Sequence, residues 1–308
     1  MASIASRSLC NFDTESQLTT DRHQLIKVEM ATTSSPSIPA LRNCLLNISQ
    51  PITKRTIASF HLRTIGSPEA VAAVAEALLI REDGALMRHE LAYILGQMRN
   101  HDACPILTSV LEDESDDILV RHESAEALGS IGHSSSLAVL VKYSKHSASE
   151  ISETCQIAVD LINWKLQQEA ALIAKGSQTD EQRSLYLSYD PAPPMAEKMT
   201  IAELKKNLMD TSLSLFHRYR AMFSLRDTNT DDAALALVSG FYDSSALFRH
   251  EIAFVLGQMQ RAITISGLAD ILKNKSEHRM VCTDTLNFLN LIHLCTSTLR
   301  LLSVAPSD

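Results

Sequence analysis

The chain has 308 residues, and its 28 Lys and Arg against 36 Asp and Glu give a formal charge of −8, which argues against a nucleic-acid partner and tolerates a cationic one. Nine Gly, nine Pro and 5% aromatics on an Ala-, Leu- and Ile-rich background favour helices over a sheet and lead one to expect an almost wholly helical protein. The six cysteines (Cys10, Cys44, Cys104, Cys155, Cys282 and Cys295) contain no Cys-x-x-Cys pair and read as reduced thiols, not as a disulfide framework.

Residues 1–29 lack the apolar run of a secretory signal, and Asp13, Glu15, Asp21 and Glu29 argue against an organellar transit peptide, so the expected location is the cytoplasm. Residues 1–38 are expected to be a disordered extension. Helices then follow around Leu41–Leu46 and Lys54–Ile65, with Gly66 closing the second. Ser67-Pro68-Glu69 combines a cap hydroxyl, a proline at the first helical position and an acid in the first turn, and so opens a helix through Val71–Ile80. After Arg81-Glu82-Asp83-Gly84 the pattern predicts a helix over Ala85–Met98.

Within that helix lies Arg88-His89-Glu90-Leu91-Ala92-Tyr93-Ile94-Leu95-Gly96, which recurs as Arg121-His122-Glu123-Ser124-Ala125-Glu126-Ala127-Leu128-Gly129, 33 residues on. A third copy is Arg249-His250-Glu251-Ile252-Ala253-Phe254-Val255-Leu256-Gly257. A period in the thirties made of short helices signals an α-solenoid of HEAT-like units, each burying its apolar face against its neighbours. Further helices near Ser136–Tyr143 and Glu150–Gln168 end a first half over residues 39–170.

Residues 171–199 turn polar, and Tyr189-Asp190-Pro191-Ala192-Pro193-Pro194 prevents a helix, so this stretch reads as a linker. Thr200-Ile201-Ala202-Glu203 restarts helical structure as a capping box. Arg218 to Arg226 then matches Arg55 to Arg63 at an offset of 163, and His250 follows His89 by 161. Residues 200–281 are therefore a second, duplicated half. Duplication calls for a fourth His-Glu at 283–284, where Thr283-Asp284 stands, and residues 282–308 read as a divergent tail. In that tail Asn287, Asn290, His293 and Arg300 interrupt the apolar run, so no membrane span is expected.

Solenoid packing accounts for the Ala and Leu-Gly of each copy but not for the His-Glu dyad. Adjacent on a helix, the two side chains sit about 100° apart and can offer imidazole nitrogen and carboxylate oxygen to one centre. Such mixed sets suit iron, manganese or zinc. His89, Glu90, His122, Glu123, His250 and Glu251 are accordingly the candidate metal ligands, expected to converge between the halves. Arg88, Arg121 and Arg249 read as paired or solvated helix-start residues, with partnership to the dyad carboxylates the alternative. The other histidines, His278 among them, read as surface or core residues. A solenoid that held no metal would instead be a protein-binding scaffold.

The repeated Arg-His-Glu helices resemble those of deoxyhypusine hydroxylases, as do Leu91 to Met98, Glu153-Thr154-Cys155-Gln156, Tyr189 to Pro194 and Arg218 to Arg226. The likeness covers about residues 40–281. It implies a cytosolic HEAT-repeat non-haem di-iron monooxygenase with two Fe2+ per chain. The implied reaction uses dioxygen to hydroxylate the deoxyhypusine side chain of eukaryotic translation initiation factor 5A, giving hypusine. It places iron on four dyads, of which this chain supplies three.

Overall fold

The computed structural model describes residues 36–175, 186, 188–283 and 285. Of residues 1–38, expected to be disordered, 1–35 lie outside the described residues, as do part of the linker (176–185 and 187), Asp284 and the tail over 286–308, whereas Ile38 already opens the first helix, with Pro39 in its first turn. Thirteen named α-helices run in order: α1 Ile38–Leu46, α2 Ile52–Ile65, α3 Pro68–Leu78, α4 Ala85–Met98, α5 Cys104–Glu112, α6 Ile118–Ile131, α7 Leu137–Tyr143 and α8 Ser149–Lys175. After the linker come α9 Ile201–Met209, α10 Leu215–Thr228, α11 Asp231–Val238, α12 Ala246–Met259 and α13 Ile265–Lys273. No strand occurs among the described residues, and no helix there is long and apolar enough to cross a membrane.

The helices form two layers. The dyad helices α4 and α6 pack on each other and α6 on α8, while α3, α5 and α7 back them from outside. In the second half α10 and α12 are the inner pair and α9, α11 and α13 the outer set. Local signals set the ends as expected: Ser67 Oγ accepts from Ala70 N, and Thr200 and Glu203 form a reciprocal capping box. Helix α8 runs on to Lys175, five residues into the stretch read as linker.

Each half has its own apolar core, and Leu119 and Ile157 of the first half join that of the second. Helix α8 abuts α10 and α12, which brings the two inner layers face to face. Polar contacts cross this seam where Ser245 Oγ donates to Glu153 at 2.6 Å, His278 meets Glu150 at 3.1 Å and Arg279 meets Asp117 at 2.7 Å.

The repeat arginines are not solvated, and they do not reach the dyad carboxylates. Nε of Arg55, Arg88, Arg121 and Arg218 each donates to a leucine carbonyl ten residues earlier, at 2.7 to 3.0 Å. The forks of Arg55, Arg88 and Arg218 then hold Asp83, Asp116 and Asp243, and Arg249 holds Glu277 at 2.5 Å. Each acid stands in the loop that leads into the next inner helix, so the clamp ties one repeat to its successor.

The linker is pinned between the halves. Gln97 exchanges two 2.9 Å hydrogen bonds with the Tyr189 backbone, and Arg99 lies over the Tyr189 ring at 4.6 Å. On the other side fully buried Arg226 forks onto Asp190 at 2.7 and 2.9 Å and also donates to Gln258, while Gln258 Nε2 donates to Ser188 Oγ. Gln97 and Gln258 occupy equivalent places in the two halves, 161 residues apart.

Candidate metal centre

The dyads fall at the fifth and sixth residues of α4, α6 and α12, near the helix starts. Depth in the repeat is fixed by the close approach behind them: a Cβ built on Gly96 would lie 2.9 Å from Ala127 Cα, and one on Gly129 2.9 Å from Ala158 Cα. These inner helices therefore meet backbone to backbone nearly two turns beyond the first two dyads, and the dyads face the opposing half.

All three histidines converge. The His122 ring centroid lies 5.4 Å from that of His89 and 5.4 Å from that of His250, with His89 and His250 6.2 Å apart. One donor atom from each lies within 4.8 Å of the others. Residues from α4, α6 and α12 thus meet at one point between the halves, as the duplication leads one to expect. The Glu123 carboxylate is close by, its Oε2 3.0 Å from His89 Nε2.

His122 is wholly buried, and neither of its ring nitrogens has a hydrogen-bond partner among the described residues. Leaving buried polar atoms unpaired costs about 1–3 kcal/mol each unless something else satisfies them. Burial, followed by the neighbouring His89, His250 and His278, pushes the His122 pKa well below its ordinary value. The imidazole is therefore neutral with an open lone pair, the state in which histidine binds a metal. Orphaned nitrogens, a neutral ring and carboxylates beside it fit a cation of the iron, manganese or zinc type.

Glu123 and Glu251 are buried, whereas His89 and Glu90 are only half-buried, which leaves the His89 side of the cluster more accessible. One acid escaped the sequence reading: Glu126, one turn past His122, comes with Glu123 and His122 to within 4.8 Å, donor atom to donor atom. Tyr93 and Phe254 hold its place in the other copies and meet each other at 6.2 Å, so the break from this aromatic pattern was the available signal. Tyr219 is buried beside this acidic group. Burial, then Glu251, Glu126 and Glu153, raises its hydroxyl well above the usual phenol value, and that hydroxyl donates to Leu247 O at 3.4 Å.

At the fourth repeat position Thr283 turns its hydroxyl onto its own helix, donating to Arg279 O at 3.0 Å. His278, set aside on sequence, lies near enough to influence His122 and is held by Glu150.

Comparison with known proteins agrees with this arrangement. A HEAT-repeat family model matches residues 38–119 and 85–160. The deoxyhypusine hydroxylase of Drosophila melanogaster is 43% identical over 248 residues, which cover 80% of this chain and 78% of that one. The Homo sapiens protein is 43% identical over 79% of this chain and 77% of its own length, and the Danio rerio protein 44% identical over 79% and 77%. The solved structure of human deoxyhypusine hydroxylase in complex with glycerol superposes with a TM-score of 0.76 at 40% identity, covering 88% of this chain and 90% of that chain. A duplicated helical solenoid in which the histidines of three His-Glu dyads meet, and this degree of identity over most of both chains, place the chain in the deoxyhypusine hydroxylase family.

Proposed function

We propose that this chain hydroxylates the deoxyhypusine side chain of eukaryotic translation initiation factor 5A to hypusine, in the cytoplasm, at a non-haem iron centre held by His89, Glu90, His122, Glu123, His250 and Glu251. The observation that carries the reading is the meeting of three histidines from both halves around an imidazole whose two nitrogens lack hydrogen-bond partners. Bound there, iron would supply the activation of dioxygen needed to place a hydroxyl on an unactivated carbon.

The protein's own residues do the rest. His122, kept neutral by burial, offers its lone pair without first losing a proton. Glu123 lies against His89 and so orients that ring. The acids Glu123, Glu126 and Glu251 give the cleft a negative field, which favours entry of a cationic amine side chain. The buried walls from α6 and α12 limit the water that can follow it.

The family design has two irons on four dyads, and Thr283-Asp284 stands in place of the fourth. Iron in the purified chain is therefore expected to fall below two per chain, with weak hydroxylation. Thr283→His with Asp284→Glu is expected to raise both. The measurement is metal content by mass spectrometry together with hypusine formed on the deoxyhypusine form of the factor. Iron at two per chain in the unaltered protein would show that the fourth dyad is dispensable, and absence of both iron and hydroxylation in both proteins would leave a binding scaffold.

A further inference from the structure

Five arginines stand at one place in successive repeats, and four of them hold an acid. The fifth is Arg121. Its Nε donates to Leu111 O at 3.0 Å, in the manner of Arg55, Arg88 and Arg218, so its fork occupies the clamp position. It is 5% exposed, yet Nη2 has no hydrogen-bond partner among the described residues.

Arg55, Arg88 and Arg249 each find their carboxylate 28 residues on. Twenty-eight residues on from Arg121 stands Ser149, where the two preceding repeats have Asp83 and Asp116. Nearby groups are engaged elsewhere. Tyr143 offers only its ring, 5.9 Å away, Asp113 holds Arg81 and Ser115, and Glu150 holds His278. Ser149 itself is exposed and donates to Glu150 Oε2 at 3.3 Å.

We propose that Ser149 is a phosphorylation site, and that its phosphoryl group is the acid this clamp lacks. Three features favour it. A phosphoserine reaches about as far as a glutamate, and Glu277 shows that the clamp accepts that length. Ser149 is the first residue of α8, where unpaired backbone amides favour an anion, and a phosphate opposite an arginine gains charge-assisted hydrogen bonds. Ser149 is also exposed, as access by a protein kinase requires. In the transfer, Ser149 Oγ attacks the γ-phosphorus of a nucleoside triphosphate, the bond to the bridging oxygen breaks, the hydroxyl proton passes to the kinase's base and the nucleoside diphosphate leaves. The completed clamp would tie the start of α6, and with it His122 and Glu123, to α8.

The test is thermal unfolding and amide exchange of the full chain with phosphoserine installed at 149. A rise in Tm of about 3 °C or more is expected, with slower exchange over residues 118–123. Both effects should disappear in Arg121→Met. An equal rise in that background would mean that the helix terminus alone holds the phosphate, and would overturn the proposal. If Arg121→Met does not fold, Ser149→Asp in the otherwise native chain is expected to raise Tm and to slow exchange over residues 118–123, and a rise with slowed exchange confined to residues 149–153 overturns the proposal. Inorganic phosphate added to the unmodified chain should give no comparable rise; if it does, the site takes a free anion and the modification is not needed.

Discussion

Arg226 has no exposed surface, and its charge is held by Asp190, Asp227 and Gln258 and by the faces of Tyr186 and Phe223, each 4.7 Å from the guanidinium carbon. Removing one member of such a buried set leaves the others charged and unsolvated, at about 3–5 kcal/mol. Arg226→Met is expected to lower stability by about that amount, measured by urea unfolding. A loss near the ~1 kcal/mol of an exposed pair would show that the network is solvated. Burial of this kind separates Arg226 from Arg42, whose bridge to Glu76 is nearly half exposed and contributes little.

At the scale of the element, the close contact of inner helices is the constraint. Gly96 and Gly129 sit where a methyl group would press on the backbone of the next helix, not on a side chain that can turn away. Gly96→Ala is expected to destabilise by about 1–3 kcal/mol, and Gly129→Ala by a similar amount, because relief requires the helices to separate. Since that movement also displaces the dyads, metal affinity should fall with Tm, and a normal Tm in either variant would contradict the contact. Much of this was legible in the sequence. The bounds of α4, the Ala and Leu-Gly spacing and the dyads all repeat along one helix period, and repetition is visible without a structure. The acids that complete the arginine clamps and the linker contacts of the paired glutamines were not read, because each joins residues brought together by how loops turn, whereas Glu126 lies on the dyad's own helix one turn past His122 and was passed over among three copies that differ there. A separation of 92 residues carries no periodic signature, and the 28-residue spacing of the clamps, though it recurs, has no meaning until the fold shows which residues it pairs.

At the scale of the whole molecule the seam between the halves carries buried charge. Burial, more than any other influence, raises the Glu153 carboxyl above its ordinary value, with Asp243 and Glu150 adding to it and Ser245 and Arg218 opposing. The folded state therefore keeps this proton to higher pH than the unfolded chain does. Stability is lost as pH rises from the unfolded value through the folded one, and at neutral pH the carboxylate opposes folding. Glu153→Gln retains an acceptor for Ser245 Oγ, so it is expected to raise Tm at pH 7.5 and to lose that advantage as pH approaches 4. A Tm difference that does not change with pH would refute the assignment.

Gln97 and Gln258 are counterparts, yet a single stretch of chain passes between them and bonds to both. A duplicated protein with this feature has no spare copy of its fastening, and the fastening belongs to neither half by packing alone. It follows that covalent continuity upstream of Tyr186 is not what holds the halves in register. Fragments 36–175 and 186–308, expressed together, should find each other and rebuild the histidine cluster, whereas a second fragment that begins after Pro194 should not. Co-purification of the two pieces, with and without residues 186–194, would decide whether the enzyme can be assembled from parts.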